Sequence, residues 1–128
     1  MKKVISLSFI LFNFITLFGC STIAEHSLET GNGNMELLTP TITTKDNELE
    51  IKTEGIAENK VTFIYVANTK VFEQKIKNDE PYKLDITSIK DAHRTDYKPR
   101  VQLWQTKDDT QDGDMVTFKQ VRYTVEKE

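Results

Sequence analysis

From residue 36 onward, apolar residues recur in short runs, none longer than a strand. Residues 47–52 (NELEIK) alternate polar and apolar with Leu49 and Ile51 in phase. That period of two predicts a strand buried on one face. Residues 60–67 (KVTFIYVA) are nearly continuous in β-branched and aromatic side chains and predict a central strand. Shorter runs at 71–76 and 82–86 flank Asn78-Asp79-Glu80-Pro81, a turn-forming segment. Leu38 and Ile42 open the series around Pro40, whose missing N–H suits an edge strand. Two longer runs, 99–106 and 115–125, enclose the Asp112-Gly113 pair expected in a hairpin connection. About seven strands at this spacing predict an all-β fold, a single antiparallel β-sandwich over residues 35–128.

The last run changes phase. Val116 and Phe118 share one parity, whereas Val121, Tyr123 and Val125 share the other. Either a β-bulge lies near Lys119-Gln120, or both faces of this strand are partly covered.

The N-terminus has a different pattern. Lys2 and Lys3 precede an apolar run over residues 4–18, then Gly19 and Cys20, the layout of an export signal. The run is shorter than the ~20 residues that span a hydrocarbon core, and Ser6, Ser8, Asn13 and Thr16 interrupt it. Leu17-Phe18-Gly19-Cys20 resembles the lipobox of bacterial lipoproteins. The resemblance implies removal of residues 1–19 and a covalent diacylglycerol (palmitate-type) anchor on Cys20. It also implies a protein at the extracellular face of the cell membrane. A secreted protein without lipid is the competing reading, since Phe18 is bulkier than lipoboxes usually carry. Cys20 is the chain's one cysteine, so it has no intramolecular disulfide partner, and lipidation accounts for it best. A disulfide-free exported domain suits a Gram-positive surface. Residues 20–34, with their Gly31-Asn32-Gly33-Asn34 run, read as a flexible tether.

Charge narrows the partners. The chain carries 17 Lys+Arg and 20 Asp+Glu, and loss of Lys2 and Lys3 with the signal leaves a net charge of −5. Such a balance argues against nucleic acid and against a polybasic membrane patch.

Little in the mature chain suggests catalysis. An acylated Cys20 offers no thiolate, His26 lies in the expected tether and His93 at an expected corner, with no Gly-x-Ser-x-Gly elbow. Two separated histidines make no recognisable zinc set. Asp108, Thr110, Asp112 and Gly113 fall at positions one, three, five and six of a calcium loop, with Asp114 beside them. Position twelve is Lys119 and no helices flank the stretch, so a solvated hairpin tip is the simpler reading. The expectation is therefore no enzyme and no resident cofactor beyond the lipid.

Strict alternation along 97–104 offers a binding surface. With Tyr97, Pro99, Val101 and Leu103 inward, Arg100, Gln102 and Trp104 point outward, a composition typical of recognition hot spots. The competing reading turns Trp104 inward to cap the core.

Leu84, Ile86, Ile89 and Tyr97 stand at offsets 0, +2, +5 and +13. These resemble the apolar and tyrosine positions of the E–F corner in immunoglobulin-like domains. The resemblance implies an immunoglobulin-like sandwich with the Tyr97 hydroxyl bonded back to the chain upstream. Pro99 stands where antibody domains carry cysteine, and His93 where an aspartate is usual, with Asp91 two residues earlier. In size, signal and single β-domain, the chain is also similar to lipoproteins of the TraH/TrsH type from staphylococcal conjugative plasmids. That similarity implies an accessory role at the donor or recipient surface. With the outward patch, the expected function is a non-enzymatic protein-binding or accessory module in conjugative transfer or surface exclusion, with a protein partner at the cell surface. A small-ligand or ion-binding lipoprotein is the alternative.

Overall fold

The computed structural model describes residues 29–128. The expected signal peptide (residues 1–19), Cys20 and His26 lie outside the described residues.

Among the described residues nine strands follow in order: β1 (Asn34–Leu37), β2 (Thr41–Thr43), β3 (Glu48–Glu54), β4 (Val61–Val66), β5 (Thr69–Lys75), β6 (Tyr82–Asp85), β7 (Arg100–Thr106), β8 (Met115–Arg122) and β9 (Thr124–Glu126). They form a three-stranded sheet, β1-β3-β6, a four-stranded sheet, β5-β4-β7-β8, and a two-stranded pair, β2-β9. Leu49, Ile51 and Leu84 of the first sheet share one buried cluster with Ile64, Val66, Val101 and Leu103 of the second. The fold is an all-β sandwich. Its strand phases follow the sequence: Leu49, Ile51 and Thr53 are buried while Glu48 and Glu54 are exposed, as one covered face requires.

Two expected strands are divided, the run around Pro40 and the run 115–125, the latter into β8 and β9. The run around Pro40 splits into β1 and β2, so the chain leaves the three-stranded sheet and joins β9 instead. Proline cannot donate to a ladder, but its carbonyl can accept: the Thr124 N–H donates to Pro40 O at 3.0 Å. The β2–β9 pair is parallel, a departure from the wholly antiparallel expectation.

The phase change in β8 has the second of its two explanations. From Thr117 to Arg122 the strand pairs β7 residue for residue, with no shift at Lys119-Gln120. The irregularity lies at the strand's start, where Gln105 faces Thr117 and Thr106 faces Met115. Both faces are covered: Val121 packs against the core, and Phe118 opposes Trp104 on the other face.

Residues 30–34, expected in the tether, belong to the folded domain. Thr30 and Phe118 exchange two backbone hydrogen bonds of 3.0 Å, and β1 begins at Asn34. Gly31 and Gly33 adopt φ of +83° and +85°. A Cβ on Gly31 would stand 2.6 Å from Val116 O, and one on Gly33 would collide with Glu54 O. Here glycine permits close backbone approach; it was expected to supply flexibility. Lys119, on the inward face of β8 and 7% exposed, reaches out to donate to Gly31 O at 3.0 Å, as long amphipathic side chains do.

The corner after β6 is closed by a tyrosine other than the expected one. Leu84, Ile86 and Ile89 are buried as the offsets predicted, and a 3₁₀ turn, Lys90–His93, follows. Tyr97 is 48% exposed, and the Arg94 guanidinium lies 4.8 Å from its ring centre. The lock comes from Tyr123, between β8 and β9, whose buried hydroxyl donates to Ala92 O at 2.7 Å. His93 takes the aspartate's place by lying between two carbonyls, Ile89 O at 3.0 Å and Asp46 O at 2.9 Å. Arg94 pairs with Asp96 and Asp91, which raises the guanidinium's affinity for its proton and lowers the Asp96 carboxyl.

Candidate binding face

Directly opposed residues of antiparallel strands project to the same side of a sheet. On the side of the four-stranded sheet away from the core, β4, β7 and β8 align Phe63, Trp104 and Phe118 in one row. Tyr65, Gln102 and Gln120 form the next row, and Arg100 opposes Arg122 beyond it. The predicted trio Arg100, Gln102 and Trp104 therefore shares this outward face. Each member is half-buried.

The row is built from local strand chemistry. Phe63 and Tyr65 are the off-phase members of the β4 run, alternating with Thr62, Ile64 and Val66 on the core side. Tyr65 stacks on Trp104 with ring centres 4.5 Å apart and planes 21° apart. Phe63 and Trp104 are tilted by 34° at 6.4 Å, within the range where aromatic pairs attract. Phe63 is fully buried yet is not part of the core cluster. The outward face thus carries a second, aromatic cluster, with Phe63 beneath and Trp104 and Tyr65 partly open to solvent.

Polar groups frame it. The Gln102 side-chain amide donates to Gln120 Oε1 at 3.1 Å, which fixes both planar amides across the strands. Trp104 Nε1 is buried and has no acceptor among the described residues. A buried indole N–H normally finds one, so this donor is the face's most unusual atom. On the β5 edge, Lys70 pairs with Glu73 and also donates to Gln111 Oε1 at 3.0 Å. Its ammonium is held above the ordinary range by the Glu73 carboxylate.

The acidic stretch lies elsewhere, in the connection between β7 and β8. Asp108 Oδ1 accepts from the Thr110 hydroxyl at 2.8 Å and the Thr110 N–H at 3.3 Å, which lowers its carboxyl's affinity for a proton. Asp109 Oδ1 accepts from the Val61 N–H at 3.2 Å. Asp112 and Asp114 are exposed. Among the described residues, no group of three or more histidine, cysteine or acidic side chains is placed to hold a metal ion. No helix among them is long and apolar enough to cross a membrane.

Sequence reasoning found one strand's share of the face and missed the rest: Phe63, Tyr65, Phe118, Gln120 and Arg122. A signal was present in the two off-phase aromatics of 60–67 and in the off-phase Phe118. No protein-family model, curated protein or solved structure matches the chain.

Proposed function

We propose that this chain is a membrane-anchored surface lipoprotein, held by diacylglycerol on Cys20 at the extracellular face of the cell membrane. Its sandwich binds another protein and catalyses no reaction. The observation that carries the binding reading is the outward row around Trp104: a half-buried aromatic cluster whose desolvated indole N–H has no acceptor among the described residues, beside Arg100 and Gln102. Tryptophan, tyrosine and arginine are the residues on which interface energy concentrates.

An immunoglobulin-like topology is part of the proposal. With β1, β3 and β6 taken as strands A, B and E, and β5, β4, β7 and β8 as C′, C, F and G, the strand orders follow that family's arrangement. In this reading the partner-binding face is the C′CFG sheet. A role in conjugative transfer or surface exclusion rests on the lipoprotein resemblance.

Two arms test the proposal with the full chain in cells. Labelled palmitate is expected on the wild type and not on Cys20→Ala; an unlabelled wild type, or a labelled variant, would contradict anchoring. A photo-crosslinking side chain at position 102 is expected to give one discrete protein adduct that Trp104→Ala abolishes. The control is position 52 on β3, whose Lys52 faces outward beside Glu36. Equal adducts from both positions, or none from position 102, would contradict the binding face.

A further inference from the structure

At one end of the outward face, a hollow of about 390 Å³ opens between the β4–β5 turn and the start of β7. Asn68, Tyr97, Lys98, Arg100 and Arg122 line it, and no acidic side chain does. The turn residues Ala67 and Asn68 both have positive φ, 48° and 68°, as two-residue hairpin turns of the primed type require. The Ala67 N–H donates to Arg100 O at 3.0 Å, so turn and strand are fixed to each other.

The cations here are arranged against the fold's own interest. Arg100 and Arg122 are direct cross-strand partners, and like charges in that relation repel. None of Lys98, Arg100 and Arg122 belongs to an ion pair among the described residues. The acids at the neighbouring corner, Asp91 and Asp96, are engaged by Arg94. Glu29 accepts from the Gln120 N–H at 3.1 Å. Arg122 Nη1 donates to Lys98 O at 2.8 Å, which holds its guanidinium at the hollow while its other donors have no acceptor among the described residues. Arg100 is half-buried and its guanidinium has no protein acceptor among the described residues.

We propose that this hollow is an oxyanion site that receives a carboxylate presented by the partner protein. The inference deepens the protein-binding reading and rests on it for the carboxylate's source. Two guanidinium groups in opposed register can take a carboxylate through paired, charge-assisted N–H···O bonds. A bound carboxylate would also offset the Arg100–Arg122 repulsion. The site adjoins the Gln102–Gln120 amides and the Trp104 row, so one acidic segment could reach the hollow and the aromatic cluster together.

The test uses the ¹⁵N-labelled full chain in uncharged detergent, titrated with acetate, and separately with inorganic phosphate, at an ionic strength held constant with chloride. Saturable shifts of the Arg100 and Arg122 Nε–Hε signals with acetate are expected. Arg122→Gln and Lys98→Gln should each weaken the response, at least tenfold for Arg122→Gln. No saturable shift with acetate, a response to phosphate alone, or an acetate response indifferent to Arg122→Gln would overturn the proposal. Acetate binding requires no partner, so its failure beside a successful crosslink from position 102 rejects the oxyanion site alone. Binding of acetate without any crosslink rejects the partner reading.

Discussion

Replacement of Tyr123 by phenylalanine tests the correction to the corner most sharply. The substitution keeps the ring in its buried place and removes one hydroxyl, the donor to Ala92 O at 2.7 Å. A net intramolecular hydrogen bond contributes about 1 kcal/mol, and an acceptor left buried without a partner adds a desolvation cost. Ala92 is fully buried, so the expected loss is about 1.5–2 kcal/mol. For a domain of this size that lowers the melting temperature by roughly 6–16 °C. Tyr97→Phe, at an exposed site, should cost less than about 0.5 kcal/mol. Urea unfolding of the full chain, followed by emission of its single tryptophan, measures both. The midpoint should fall for Tyr123→Phe with an unchanged slope. A loss below about 0.5 kcal/mol for Tyr123→Phe with a larger one for Tyr97→Phe would return the lock to Tyr97.

Phe63→Ala should cost about 3–5 kcal/mol in the same urea assay, as a core truncation does, although Phe63 points away from the core cluster; a loss under about 1 kcal/mol would mean the aromatic cluster does not hold together. Gly33→Ala meets both a positive φ and Glu54 O, so stability should fall by more than about 1 kcal/mol. Amide exchange in β1 should accelerate most in that variant. Burial, and secondarily the charge of Tyr97, pushes the Tyr123 phenol above its ordinary value. The unfolded phenol ionises near pH ~10 while the folded one keeps its proton. The group's contribution is therefore complete below that pH and is lost as pH rises above it. Unfolding midpoints across pH 9–12 should fall more steeply in the wild type than in Tyr123→Phe.

Much of the sandwich was legible because period-two alternation is a direct imprint of one covered face. Alternation places Leu49, Ile51, Pro99, Val101 and Leu103 inward, and all five are buried. Tyr97, placed inward with them, is 48% exposed because it lies before β7 begins at Arg100, where the strand's period does not hold. Arg100, Gln102 and Trp104 followed by parity. Parity, however, says which residues share a face and not what covers it. The continuous apolar run around Phe63 predicts a central strand, and Phe118 marks a phase change; both belong to a second cluster that forms only when β4, β7 and β8 align. The glycines at 31 and 33 carry the same ambiguity: freedom of φ serves a loose tether or a tight approach, and the choice depends on residues more than twenty (Gly33 and Glu54) and more than eighty (Gly31 and Val116) positions away. The corner tyrosine failed for a related reason. A spacing of thirteen residues identified a candidate within the local segment, while the hydroxyl that closes the turn arrives from Tyr123, 31 positions beyond Ala92.

In the proposed function, the outward face of β4, β7 and β8 is the working surface. Backbone hydrogen exchange of the full chain, alone and bound to the partner captured from position 102, tests it most directly. Slowed exchange concentrated in residues 62–66, 100–106 and 117–122, with β3 and the 107–114 connection unchanged, is the predicted result. Protection confined to the three-stranded sheet or to the acidic connection would contradict it.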